Sequence, residues 1–269
     1  MITPMHAGIR GLIGGSVGVW QRNIMESNDP RISDISETIS SLSSERLKFS
    51  EGSGAKDTKA PDWEIRHMCK RSDDSECQYP NLVFEVGWTQ TKEELKEKAE
   101  FYINRSNGEI RTIVAVHMHE MFLAERKNEI KLKRMYRKGE VDGSYCYWED
   151  ENNQTGSASI LVWRARKKRD GTVHTGNTEE KIFRDLQGNA IQSGSLDIPF
   201  HDFICTGMMN VQGGKLKAPL LEISSNALCK PIQHTLRAYR KQRALEIREE
   251  VEQEEQAKKE KKKKDEERL

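Results

Sequence analysis

The stretch Phe84–Tyr102, FEVGWTQTKEELKEKAEFY, decides how the chain is read. It joins an apolar run, Asn81–Val86 (NLVFEV), to a charged segment in which Leu95, Ala99, Tyr102 and Ile103 recur at helical spacing. A short continuous run bounded by turn residues predicts a strand buried on both faces of a sheet. Thr91 and Glu94 form the S/T-x-x-E pattern in which two side chains cap each other's backbone amides, so the helix starts there, and Glu94 and Lys98 add an i,i+4 pair. One residue does not belong. Glu85 places a carboxylate among apolar neighbours, where a charge is costly unless something compensates it.

Upstream, APDWEIRH (Ala60–His67) enters a strand through Pro61, and KRSDDSECQY with Pro80 turns the chain back. The two strands form a hairpin, with Asp62 opening the first and Glu85 near the exit of the second. Two carboxylates brought that close repel each other unless a proton or a hard cation intervenes, and Mg²⁺ favours carboxylate oxygens plus water. A divalent-metal site follows as one reading. The plain alternative leaves Glu85 in solvent or beside an arginine and makes Asp62 a turn residue after proline.

Downstream, SNGE (Ser106–Glu109) ends the helix and IRTIVAVHMH (Ile110–His119) is a central strand rich in β-branched residues. Before the hairpin, Asn28-Asp29-Pro30 starts a helix carrying Ile32, Ile35, Ile39 and Leu42, and SEGSGAKDTK (Ser50–Lys59) is a loop. From Pro30 to His119 the order is helix, strand, strand, helix, strand. This is a mixed α/β core with a crossover helix.

The remainder is less regular. Residues 1–27, with the glycine-diluted AGIRGLIGGSVGVW, read as a flexible leader, lacking the GK[ST] ending of a phosphate loop. Residues 28–206 form the α/β domain, interrupted at about 122–156 by a charged insertion. ASILVWRARKK (Ala158–Lys168) resumes as a strand with Ile160, Val162 and Arg164 on one face and Leu161, Trp163 and Ala165 on the other. SLDIPFHDF (Ser195–Phe203) is an edge-like strand demoted by Pro199. Residues 207–235 read as loop and short elements, and 236–269 as a charged helix fading into a disordered tail.

Bulk properties exclude several classes. Lys plus Arg (44) nearly cancel Asp plus Glu (43), so any preference for polyanions must come from local patches. The five cysteines are scattered without a CxxC pair, which argues against a disulfide framework or zinc ribbon and for a reducing compartment, nucleus or cytoplasm. No apolar run approaches the roughly 18 to 20 residues needed to span a bilayer, so no membrane role is expected. His117 and His119 share a strand face beside Glu120, but without a third ligand at metal spacing they read as sheet-end histidines. ERKNEIKLKRMYRKGE (Glu125–Glu140) holds seven Lys/Arg against one acid between Arg126 and Lys138. Lys131, Lys133, Arg134 and Arg137 can neutralise phosphates and Tyr136 can stack on a base, the alternative being a solvated helix face.

The motifs PDWEIRH, YPNLVFEVGWTQTKEELKEKAEFYI, GEIRTIVAVHM and SASILVWR together resemble the core of the PD-(D/E)xK nuclease superfamily, across about Pro61 to His119 with an echo at Ile160–Arg164. The pattern is similar to uncharacterised bacterial and predicted fungal members. The resemblance implies a restriction-endonuclease-like fold, a mixed central sheet flanked by helices, with the charged helical tail added. It implies Asp62 and Glu85 as metal ligands for Mg²⁺ or Mn²⁺, with the carbonyl of Val86 or Gly87 as a third. The family's usual lysine falls on Gly87, a departure. Branches lacking it supply a lysine from the next helix, where Lys98 fits K-x-x-x-Y with Tyr102, ahead of Lys96. Gln90 would orient water or substrate, and Glu37 or Asp34 would complete the site from the first helix. The implied function is metal-dependent phosphodiester hydrolysis of DNA, with a homodimer compatible. The alternatives are a catalytically degenerate nucleic-acid-binding or regulatory module of the same fold, or an adaptor acting through its charged C-terminal helix.

Overall fold

The computed structural model describes residues 4–42, 46–50, 56–68, 77–141, 155–205 and 218–267. Most of the KRSDDSECQY turn, the second half of the insertion, much of the 207–235 segment and the last two residues lie outside these. The architecture is mixed α/β. A seven-stranded sheet runs in the order β1 (Ile39–Leu42), β4 (Trp63–His67), β5 (Leu82–Gly87), β6 (Thr112–His117), β7 (Ala158–Lys167), β8 (Val173–Thr175), and β9 (Glu179–Arg184) pairs with the first half of β7. Among the described strands only β5 and β6 pair in parallel, joined by helix α3 (Lys92–Arg105) as the crossover. The predicted hairpin is present as antiparallel β4–β5, with Trp63 opposite Phe84 and Ile65 opposite Leu82.

The central strands are buried on both faces because each face is covered. Leu82, Phe84, Val86, Val114, Val116, Ile160 and Val162 pack towards helices α1 (Pro4–Met25) and α5 (Ser225–Glu266). Val83, Ile113, Ala115, Leu161 and Trp163 pack under Leu95, Ala99, Tyr102 and Ile103 of α3. Glu85 lies two residues beyond Val83 in β5 and so shares its face, the α3 side. The capping box forms as expected, with Thr91 Oγ1 accepting from the Glu94 amide at 3.2 Å and Glu94 accepting from the Thr91 amide at 2.8 Å. Asn107 and Gly108, at φ 49° and 76°, turn the chain from α3 into β6.

Several sequence expectations are corrected. The leader is no floppy segment but the 22-residue helix α1, whose Met5, Ile9, Ile13, Val17, Trp20 and Ile24 are buried in the core. The helix after Asn28 is only α2 (Pro30–Glu37), and Ile39–Leu42 is strand β1, because Ile39 can be buried equally well from a strand edge. Part of the expected Ser50–Lys59 loop is β3 (Lys56–Lys59), paired with β2 (Leu47–Ser50) in a separate ribbon. The insertion opens with helix α4 (His119–Lys138), closed by Gly139 at φ 66°. Ser195–Phe203 contributes β10 (Leu196–Ile198), which pairs with β11 (Leu221–Ile223) away from the main sheet. The C-terminal helix starts at Ser225 rather than Leu236, passes through Pro231 and continues through the tail to Glu266. Leu228, Cys229, Ile232 and Leu236 are buried along it, and that burial outweighs the backbone bond lost at proline. Among the described residues no helix is long and apolar enough to cross a membrane.

Candidate functional site

The β4–β5 register, continued one step past Trp63, brings Asp62 beside Glu85 at one end of the hairpin. Asp62 is only partly buried, and its Oδ2 accepts the Val86 amide at 2.8 Å, which ties the start of β4 to β5. Glu85 is 2% exposed. Lys98 reaches it from α3, with Nζ 2.6 Å from Glu85 Oε2, and Tyr102, one turn further, donates its hydroxyl to Oε1 at 2.9 Å. The i,i+4 spacing of Lys98 and Tyr102 places both over one point of the sheet. The surface Glu94–Lys98 pair that the sequence offered as the alternative does not claim Lys98, because Glu94 is spent on the cap.

Glu85 is pushed up to about 7, first by burial, which outweighs the neighbouring Lys98 charge; the Asp62 carboxylate pushes the same way, and the bonds from Lys98 and Tyr102 oppose it. Tyr102 is held far above the ordinary phenol range, by burial first and then by the Glu85 carboxylate that accepts its proton. Both oxygens of Glu85 are therefore engaged while its charge is poorly tolerated. Cation binding there would relieve the repulsion between the two acids.

At Gly87, where the resemblance leads one to expect a lysine, the packing leaves no room for a side chain. A Cβ would come 2.6 Å from Leu95 Cδ1, and Leu95 is buried on the inner side of α3. Leu95 of α3, the helix that also carries Lys98, fills that space. Gln90 lies half-exposed between β5 and α3, Lys96 is exposed and 3.8 Å from Glu100, and Glu37 and Asp34 are exposed on α2.

A residue the sequence reading passed over enters the site instead. His6, in the first turn of α1, bonds the Val86 carbonyl and lies near Asp62 and Lys98; burial lowers it, and the Asp62 charge works against that. The signal that could have found it is the recurrence of Met5, Ile9, Ile13 and Val17, which puts α1 on the sheet. Glu64, two residues after Asp62 on the same strand face, is fully buried, bonds Arg66 at 2.7 Å and raises Tyr102 further.

Among the described residues no group of three or more His, Cys, Asp or Glu side chains is arranged to hold a metal. At this point of the sheet stand two carboxylates, Asp62 and Glu85, and beside them the Val86 carbonyl, which His6 bonds. His117 and His119 do not share a strand, since His119 opens α4. Their rings lie 6.3 Å apart, and His119 Nδ1 contacts the Thr89 carbonyl at 3.0 Å.

The basic segment divides. On α4, Lys133 pairs with Glu250 at 2.9 Å and Glu254 at 3.0 Å, and Arg137 with Glu254 at 2.6 Å. Tyr136 packs with Met135 against Leu132 and Ile247. Lys131 and Arg134 are exposed.

Comparison of the chain with family models, with curated proteins and with solved structures finds no match.

Proposed function

We propose that the chain is a metal-dependent phosphodiester hydrolase acting on DNA, built on a restriction-endonuclease-like fold. The observation that carries the reading is the convergence of Lys98 Nζ, 2.6 Å from Glu85 Oε2, on a carboxylate set beside Asp62. Asp62, Glu85 and the Val86 carbonyl would hold Mg²⁺ or Mn²⁺. When bound, the cation supplies Lewis-acid polarisation of the phosphate and a lowered pKa for attacking water. Lys98 steadies the negative charge that develops on the phosphoryl oxygens. Tyr102 fixes the Glu85 carboxylate in orientation through its hydroxyl.

The test is plasmid nicking with Mg²⁺ or Mn²⁺, comparing wild type with Asp62→Ala, Glu85→Ala and Lys98→Ala. Metal-dependent cutting that falls by about 10²-fold or more in each variant supports the reading. Absence of metal-dependent cutting on single- and double-stranded substrates sinks it. One observation favours a second reading, a non-catalytic nucleic-acid-binding module: both Glu85 oxygens already have protein partners. Under that reading Mn²⁺ leaves the thermal midpoint of the wild type unchanged.

A further inference from the structure

Helices α4 and α5 run side by side in the same direction. Along α4 the residues Glu125, Glu129, Lys133 and Arg137 meet, in turn, Arg240, Arg243, Glu250 and Glu254 of α5. Every one of these contacts lies on the inner side of the pair. The only carboxylate between Arg126 and Lys138 is Glu129, which is 4% exposed and faces inward to Tyr239 at 2.6 Å. The outward side of α4 therefore carries Lys127, Lys131, Arg134 and Lys138, spaced four, three and four apart and all exposed. Lys138 is shared with Glu140 at 3.1 Å, an exposed contact that holds little.

Because the helices are parallel, the end of α4 is level with Glu254, and α5 continues beyond it. The continuation holds Lys258, Lys259 and Lys261–Lys264 with one acid, Glu260, among them, and all are exposed. At 100° per residue these six lysines surround the helix, so some face the same side as the α4 row whatever its rotation. Their ion pairs, Lys262 to Glu266 at 3.8 Å and Lys263 to Glu267 at 4.0 Å, are long and solvent-exposed.

We propose that the outward row of α4 and the lysine-rich end of α5 form one docking strip for the phosphate backbone of duplex nucleic acid, separate from the Asp62–Glu85 site. The inference rests on the nucleic-acid reading above and changes its residues: Lys133, Arg137 and Tyr136 serve the helix pair, and Lys127, Lys131, Arg134, Lys138 and the terminal lysines serve the partner. At about 1.5 Å per residue the two segments together span roughly 30 Å. Phosphates on one strand are spaced about 3.4 Å apart, so the strip covers about nine base pairs, close to one duplex turn. Backbone contact of this kind is sequence-independent and falls with salt.

The experiment is fluorescence anisotropy with the full chain and labelled duplexes of 8 and 20 base pairs, without divalent cations, from 50 to 200 mM salt. The expected result is salt-sensitive binding that weakens at least tenfold in Lys127→Glu/Arg134→Glu and in a variant with Lys261–Lys264 changed to Gln. The salt slope should shrink by about 0.9 per cation lost. Circular dichroism confirms that each variant stays folded, since none of these side chains is buried. Binding equal to wild type in both variants overturns the proposal, and so does tighter binding to anionic phospholipid vesicles than to duplex. The two readings fail separately. Strip variants that lose binding while wild type never nicks plasmid sink only the hydrolase, whereas nicking with unchanged KM in the strip variants sinks only the strip.

Discussion

At the residue scale, Glu85 sets the chemistry through a conflict between burial and charge. An ordinary glutamate ionises near 4.5 and Glu85 in the fold at about 7. Between these values the folded chain keeps a proton that the unfolded chain has released. Its stabilising contribution is therefore complete below about pH 4.5 and lost as pH rises through about 7, a change of about 3 kcal/mol at roughly 1.4 kcal/mol per pH unit. Glu85→Gln removes the ionisation, so in urea unfolding it should gain on wild type by about that amount between pH 4 and pH 8; a difference that stays constant over this range would show that the carboxylate is solvated. Gly87 makes the opposite test. Gly87→Ala drives a methyl group into Leu95, which should cost about 1–3 kcal/mol, and combining it with Leu95→Ala should cost less than the two changes added. Strict additivity in the same urea experiment would mean the two residues are not in contact. Glu85 was legible in the sequence because it interrupts an apolar run, whereas Lys98 was singled out only through the K-x-x-x-Y pattern with Tyr102 that the resemblance supplied. His6 was not, since its place depends on how α1 docks rather than on any local pattern.

At the element scale, α1 shows tertiary burial overriding propensity. Four glycines in Gly11–Gly18 each cost a helix about 1 kcal/mol relative to alanine, so the segment reads as flexible when taken alone. The six side chains it buries contribute about 1.5–3 kcal/mol each, which more than offsets that cost. One glycine is also required by packing, because a Cβ at Gly14 would come 2.8 Å from the ring of Trp63, the residue next to Asp62. Helix α1 thus presses directly on the strand that opens the site. Ile13→Ala should cost about 2–5 kcal/mol in chemical denaturation, as for a core residue; a loss under about 0.5 kcal/mol would return the segment to a loose leader. The hairpin, the crossover helix and β7 were readable from period and turn chemistry, because in each the local preference and the buried pattern agree. Strands β1 and β3 were missed where four-residue segments carry too little pattern to separate strand from helix or loop.

At the scale of the whole molecule, the C-terminal helix is both a wall of the core and a brace for α4, and neither role is visible locally. Lys133 meets Glu250 across 117 positions of sequence, a pairing that charge composition alone cannot assign. Helix α5 changes character along its length: Leu228, Ile232 and Leu236 are core, Arg240, Arg243 and Ile247 grip α4, and beyond Glu254 every residue described is exposed. Two truncations should therefore behave differently. A chain ending after Glu254 keeps the core contacts and the ion pairs, and its thermal midpoint by circular dichroism should match that of the full chain. A chain ending after Thr235 removes Arg240 from Glu125, which is fully buried, and removes Ile247 from Leu132. Leaving a buried carboxylate without its partner costs about 3–5 kcal/mol, a large share of a domain's stability, so this chain should lose cooperative unfolding or aggregate. If instead the two truncations melt alike, α5 does not brace α4, and the parallel arrangement that aligns the cations of the two helices loses its support.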